Sequence, residues 1–243
     1  MTDIASIDSA IAAASQNAGT ARRFAGSKWR DLATRAFVSC WFTFQATMMV
    51  EVVARALLSG EDLAGDALAM AKLASRFCLF FFFTFIAWLT LVRARPLAQA
   101  PGLMPRACAL TGAYLLCFLP LMPEHELSMS WALASTGLVT LGITLSCLVM
   151  LRLGKSYSVM AEARALVVSG PYAYIRHPLY LAEQIALTGA FIHYASAWTA
   201  LLYVVQATCQ VQRMRNEEAI LQRSFPGYAA YMKQTARLIP GVW

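Results

Sequence analysis

Long apolar stretches alternate with short polar and basic segments along this chain, and the alternation predicts membrane helices. A helix that crosses a bilayer needs roughly 20 mostly apolar residues. Six stretches reach or approach that length: Ala36 to Leu58, Phe77 to Val92, Ala107 to Met122, Trp131 to Leu151, Leu179 to about Tyr194, and Trp198 to about Val211. The last two are marginal. The pattern therefore predicts an all-α polytopic membrane helical bundle of five to six transmembrane helices that ends in a helical hairpin.

Composition supports this class of protein. The 243 residues are 59% hydrophobic and 14% charged, whereas roughly 25% of residues are charged in a soluble domain. The six cysteines form no C-x-x-C pair, and no histidine lies at ligand spacing from one. The sequence thus predicts neither a disulfide framework nor a metal site.

The distribution of charge predicts the orientation in the membrane. All but three of the 20 Lys and Arg residues fall before the first span, after the last span, or in the loops on that same side. The opposite loops are mainly acidic. The positive-inside rule then places both termini in the cytoplasm, and anionic lipid accounts for the net charge of +7 without a nucleic-acid partner.

The chain divides into a tail and one membrane domain. Residues 1–35 are predicted to be a cytoplasmic tail that is either disordered or an amphipathic helix. The helix is an alternative because Ile4, Ile7 and Ile11 follow helical spacing. Residues 36–243 are predicted to form a single integral-membrane domain. Within it, any site that faces water must come from the segment between Arg152 and Pro178 and from the residues after Val211.

A basic pair opens the fifth apolar stretch. Gly170-Pro171 is a turn signal, and Pro178 suits the first position of a helix with His177 near its N-cap. Arg176 and His177 would then lie at the membrane surface beside free backbone N–H groups, which favour an anion. The same residues also fit a simple interfacial anchor.

A second polar cluster closes the terminal hairpin. Arg213 and Glu217 are four residues apart and share a helical face, which we expect to point at Arg176 and His177, whereas Glu218 lies about 100° away. The following turn and aromatic pair, Phe225 to Tyr228 and then Tyr231, are expected to lie back over the site.

Together these residues resemble the isoprenylcysteine carboxyl methyltransferase family of integral-membrane enzymes. The family pattern is G-x-Y-x-x-x-R-H-P-x-Y, a helical hairpin, an E-E pair, then F-x-x-Y-x-x-Y and a basic tail. The resemblance covers roughly Val167 to Trp243. The matching residues are Gly170, Tyr172, Arg176, His177, Pro178, Tyr180, Glu217, Glu218, Phe225, Tyr228, Tyr231 and Arg237.

The resemblance implies S-adenosylmethionine as cofactor, held in a cytoplasmic pocket formed by residues 167–243. A lipid-like or prenylated substrate would enter from the bilayer, and its carboxylate would be oriented by Arg213. No metal is implied. The implied cofactor-binding residues are Tyr172, His177, Pro178, Tyr180, Glu217, Glu218 and Tyr228, and the implied catalytic residues are Arg213, Glu217 and Arg176.

Departures from the family pattern and other functions stay open. Ala182 stands where many members have Gly, Glu183 is interpreted as a polar residue without a catalytic part, and Asn216 replaces an acidic residue of some relatives. A phospholipid amine or a small thiol is an alternative acceptor. A nicotinamide-dependent membrane reductase and a non-enzymatic membrane protein are the alternatives from other classes.

Overall fold

The computed structural model describes residues 28–58, 65–123 and 126–241, and this part of the chain is mostly helical. The predicted amphipathic pattern of Ile4, Ile7 and Ile11 lies outside the described residues. In chain order the helices are α1 (Lys28–Leu58), α2 (Ala67–Val92), α3 (Met104–Tyr114), α4 (Met129–Leu153), α5 (Pro178–His193), α6 (Ala197–Ser224) and α7 (Tyr228–Gln234). Short 3-10 turns follow α3 (Leu115–Leu121), follow α4 (Gly154–Ser156) and precede α5 (Gly170–Ala173).

Among the described residues, three helices are long and apolar enough to cross a membrane. The qualifying segments are Asp31–Leu58, Ala67–Val92 and Met129–Ser156. Large apolar side chains on them, such as Phe81 and Leu148, are exposed, as contact with lipid requires. The prediction of an integral-membrane helical protein is thereby confirmed.

The other predicted spans have a different form. α3 is 11 residues long and continues as a 3-10 helix. α5 has 16 residues, about 24 Å at 1.5 Å per residue, against a hydrocarbon core of about 30 Å. α6 has 28 residues, but its second half is rich in Arg and Glu. Six spans and a membrane-crossing terminal hairpin therefore stay predictions.

Two glycines let α4 and α5 pack in close contact. A Cβ atom at Gly142 would lie 2.3 Å from the backbone nitrogen of Ala186, and one at Gly189 would lie 2.6 Å from the carbonyl oxygen of Ser135. Any larger residue would force the helices apart. The Ser135 hydroxyl also donates to the Gly189 carbonyl oxygen at 2.8 Å. This contact fixes α5, and with it the segment that precedes Pro178.

Short pairings join separate parts of the chain beside the start of α5. β1 (Ala98–Gln99) pairs in antiparallel with β2 (Glu162–Ala163). Ile175 forms an isolated parallel bridge with Ala236, which brings the end of the described chain against the start of α5. A small core that includes Ala163, Ile220 and Phe225 lies under these pairings.

Candidate functional site

The segment before α5 forms as the sequence predicts. Gly170 has a φ of +63°, the left-handed region that favours glycine, and the helix begins at Pro178 with His177 as its N-cap. The backbone nitrogens of Arg176 and His177 donate to the carbonyl oxygens of Ala236 at 2.9 Å and Arg237 at 3.1 Å. These bonds use two backbone donors that a site would otherwise offer to a ligand.

Glu218 is the centre of a buried ionic cluster. Its Oε1 accepts from Arg176 Nε at 2.8 Å and lies 3.2 Å from His177 Nε2. Its Oε2 accepts from Arg237 Nη2 at 2.7 Å. Although burial raises the pKa of Glu218, the hydrogen bonds from His177, Arg237 and Arg176 together lower it to about 2. The carboxylate is therefore ionised and ties α6 to both the Arg-His-Pro segment and the C-terminal segment, residues 225–241.

This cluster corrects one prediction about the face of α6. The spacing suggested that Glu217 would face Arg176 and His177, with Glu218 turned away. Instead Glu218 meets both of them, and Glu217 accepts a hydrogen bond from the Tyr180 hydroxyl at 2.8 Å. The reason is that Tyr180 is the third residue of α5, whereas Arg176 and His177 precede that helix. Glu217 therefore meets Tyr180, and Glu218 meets the two residues before the helix.

Arg213 is buried one turn before Glu217. Its Nη1 donates to Gln210 Oε1 at 2.7 Å, its Nη2 donates to the Val159 carbonyl oxygen at 3.0 Å, and its guanidinium carbon lies 4.8 Å from the centre of the Tyr180 ring. Its Nε has no hydrogen-bond partner among the described residues. A buried unpaired donor on a cation is well suited to an anionic ligand group.

Glu183 belongs to the same network, although the sequence analysis gave it no catalytic part. Its Oε2 accepts from Gln210 Nε2 at 2.8 Å, so Gln210 links Glu183 to Arg213. The spacing in the sequence could have indicated that Glu183 lies near the site. Glu183 follows Tyr180 by three residues and so shares its side of the helix.

The predicted aromatic residues lie where the C-terminal segment folds back against the residues that precede α5. The Tyr231 hydroxyl donates to the Tyr172 carbonyl oxygen at 2.6 Å, and Tyr228 is buried with its ring centre 5.6 Å from that of Tyr231. Burial raises the pKa of Tyr231 to about 12, so its hydroxyl remains a neutral donor. The turn after α6 thus covers the Arg-His-Pro segment, as the sequence predicts.

A small polar cavity of about 50 Å³ lies between α5, α6 and the segment after α4. Of the predicted site residues, Tyr172, Arg176, His177, Tyr180, Arg213 and Glu217 line it. Pro178, Glu218 and Tyr228 do not line it, within the part of the chain that the structure describes. Lining residues that the sequence analysis missed include Ser156, Tyr157, Ser158, Glu162 and Glu183. Residues 156–162 precede the family motif, and no pattern in the sequence marks them.

The wall of this cavity carries both signs of charge. Arg176 and Arg213 supply cations, and Glu162, Glu183 and Glu217 supply carboxyl groups. The Tyr157, Tyr172 and Tyr180 rings add apolar and hydrogen-bonding surface. Such a wall suits a ligand that itself carries both a cation and an anion.

The part of the chain that contains most of these residues is similar to known proteins. Residues 131–227 match the model of the phospholipid methyltransferase family. The chain is 36% identical over 76 residues to the cobalt-zinc-cadmium resistance protein CzcN of Cupriavidus metallidurans, a stretch that covers 31% of this chain and 35% of that protein.

A second relative is the nickel-cobalt-cadmium resistance protein NccN of Alcaligenes xylosoxydans xylosoxydans. It is 30% identical over 80 residues, which cover 32% of this chain and 38% of that protein. The chain therefore spans less than two fifths of the length of each of these curated relatives. Through residues 131–227, the chain is similar to the phospholipid methyltransferase family, the isoprenylcysteine carboxyl methyltransferase-like family of membrane methyltransferases.

Proposed function

We propose that this protein is a membrane methyltransferase that uses S-adenosylmethionine, bound at the cavity between α5 and α6, to methylate a lipid-like acceptor. The observation that carries the proposal is the position of that cavity. It brings Arg176, His177, Tyr180, Arg213 and Glu217 together, and these five residues lie within the 97-residue match to the methyltransferase family model (residues 131–227).

The donor and acceptor groups of the wall fit the cofactor. Arg176 and His177 suit its carboxylate, and Glu217 with Tyr180 suits its amino group or ribose hydroxyls. When bound, the cofactor supplies a methyl group on a sulfonium, a cation that carboxylates and aromatic faces attract. The volume of the cavity, about 50 Å³, is well below the roughly 300 Å³ of a usual ligand pocket. Binding therefore requires side chains of the cavity wall or of the C-terminal segment to move.

A carboxylate is the acceptor that Arg213 supports. Its Nε is buried and unpaired, and a carboxylate oxygen there would satisfy it. A carboxylate is ionised at neutral pH, so its oxygen needs no base before it receives the methyl group. Arg213 would fix the direction of attack, which is the main protein contribution in an in-line displacement.

A phospholipid amine is the second candidate, and the carboxyl groups of the wall favour it. Glu183 and Glu217 both line the cavity, and an ammonium acceptor must lose a proton before it can attack. Either carboxylate could take that proton. The description of the matched family as phospholipid methyltransferases points the same way. A small thiol is a third acceptor, whereas the family match disfavours a nicotinamide-dependent reductase.

For topology, we propose six spans with both termini in the cytoplasm, a tail of residues 1–35, and one membrane domain of residues 36–243. The support is the charge asymmetry of the sequence. Three apolar helices of sufficient length account for half of those spans.

One labelling experiment tests both the activity and the acceptor. Purified full-length protein is incubated with methyl-labelled S-adenosylmethionine and a host lipid extract, and the labelled product is treated with base. A methyl ester releases labelled methanol, whereas an N-methyl product retains its label. Base-labile label supports the carboxylate, base-stable label on a phospholipid supports the amine, and no binding of S-adenosylmethionine or its demethylated product rejects the proposal.

A further inference from the structure

A second, partly buried cluster of charge lies at the ends of the long helices, and among its members only Glu162 was assigned to the cavity above. Arg93 directly follows α2, and its Nη2 donates to Asp31 Oδ1 at 3.1 Å. Arg35 Nε donates to Asp31 Oδ2 at 2.8 Å. Arg164 follows β2 and pairs with Glu162 through its Nη2. None of these five residues belongs to the family motif.

The two inner arginines are almost fully buried and still have free donors. Arg93 is 4% exposed and Arg164 is 5% exposed. Arg93 Nε, Arg164 Nε and Arg164 Nη1 have no hydrogen-bond partner among the described residues. Because an unsatisfied buried donor is costly, most of all on a charged group, three in one cluster are well suited to an anionic ligand.

The charges of the cluster favour a ligand with one negative charge. Burial lowers the pKa of Arg164, and the positive charge of Arg93 lowers it further. The carboxylates of Glu162 and Asp31 raise it. The two ion pairs are therefore near one another. Three arginines against Asp31 and Glu162 leave one net positive charge, which a monoanion would neutralise. A phosphodiester carries one negative charge and several acceptor oxygens that match guanidinium donors.

The depth of the cluster agrees with the headgroup of a phospholipid. Asp31 is the first residue of one membrane-crossing segment, Arg93 follows the last residue of a second, and Ser156 ends a third. Residues at such positions lie at the boundary of the hydrocarbon core, where lipid phosphates are found.

We propose that Arg93 and Arg164 form an oxyanion site that binds the phosphodiester of a membrane phospholipid. The site shares Glu162 with the wall of the cavity between α5 and α6, so a bound lipid would lie beside that cavity. The proposal does not depend on the identity of the methyl acceptor, because it concerns lipid binding alone.

The test measures lipid binding to the purified full-length protein in detergent by native mass spectrometry and by thermal unfolding. The probes are phosphatidylglycerol, diacylglycerol with the same acyl chains, and inorganic phosphate. We expect phosphatidylglycerol to bind about tenfold more tightly than diacylglycerol, the scale of one charge-assisted contact. Equal binding of the two lipids overturns the proposal.

Substitutions locate the site. Arg93→Lys and Arg164→Lys keep the charge but lose the planar set of donors, so each should weaken phosphatidylglycerol binding about tenfold. Arg95→Lys, at an exposed arginine two residues from Arg93, is the matched control and should change binding less than about twofold. Unchanged binding in both buried variants overturns the proposal.

Two further measurements distinguish a lipid site from a phosphate site and cover variants that do not fold. If inorganic phosphate binds through Arg93 and Arg164 as strongly as phosphatidylglycerol does, the oxyanion site stands but the lipid source is wrong. If the lysine variants do not fold, a phospholipid with a photoreactive headgroup is cross-linked to the wild-type protein. Cross-links to residues 93–99 and 158–164 support the site, and their absence from both segments overturns it.

Discussion

Arg176 and Glu218 are 42 residues apart in the chain and form an ion pair of 2.8 Å. The pair joins the Arg-His-Pro segment to α6, and Arg237 from the C-terminal segment binds the same carboxylate. Three separate parts of the sequence are thus held by one buried side chain.

Replacing that side chain should destabilise the protein strongly. Glu218→Gln keeps the shape but leaves Arg176 and Arg237 without their buried counter-ion, which typically costs about 3–5 kcal/mol. We expect a clear fall in the midpoint of thermal unfolding in detergent. Glu126→Gln, at an exposed glutamate, is the control. An unfolding midpoint equal to that of the control would show that the cluster contributes little.

The same residue predicts a dependence of stability on pH. The pKa of Glu218 is lowered from 4.5 to about 2 in the folded protein. Its contribution is therefore complete above about pH 4.5 and is lost as the pH falls toward 2. Unfolding of wild type and Glu218→Gln across this range should converge at the acid end. A constant difference between them would contradict the assigned pKa.

Cofactor binding should depend on the hydrogen bond between Tyr180 and Glu217. Tyr180→Phe and Glu217→Ala each leave a polar partner unpaired, so each should weaken S-adenosylmethionine binding by about 1–3 kcal/mol in calorimetry. Tyr174→Phe, at an exposed tyrosine, is the matched control. If all three variants bind as wild type does, the cofactor site lies elsewhere.

Arg213 separates the possible acceptors. Arg213→Lys retains the charge but loses the planar two-point contact, so with a carboxylate acceptor turnover should fall roughly 10²-fold. Binding of S-adenosylmethionine should stay nearly normal. Arg215→Lys, at an exposed arginine two residues later, serves as control. Full turnover in Arg213→Lys would favour the amine or thiol acceptor.

The predicted topology is tested by labelling single cysteines in a cysteine-free background. Gly241→Cys should be protected from a membrane-impermeant reagent added outside the cell, whereas Glu126→Cys should react. Both expectations follow from the excess of basic residues on one side. External labelling of position 241 would place the proposed site on the opposite face of the membrane.

Sequence patterns predicted the local parts of this structure well. Pro178 at the first position of α5, His177 as its N-cap and the turn after α6 all depend on residues close in sequence, whose preferences are fixed by backbone chemistry. The membrane class followed from apolar length alone.

The remaining contacts depend on tertiary packing. Helical spacing put Arg213 and Glu217 on one face, but the rotation of α6 against α5 decides that Glu218 meets Arg176. Similarly, the Val159 carbonyl oxygen reaches Arg213 across 54 residues of chain, and no local pattern encodes that distance.

The backbone bonds from Arg176 and His177 to residues 236 and 237 impose an order on biosynthesis. The membrane helices leave the ribosome and insert first, since domains assemble from the amino-terminal end during synthesis. Glu218 can acquire its full set of partners only after Arg237 has been released. The proposed cofactor site is therefore completed in a late step, after membrane insertion, and a nascent chain stalled before that residue would be embedded in the bilayer without a complete site.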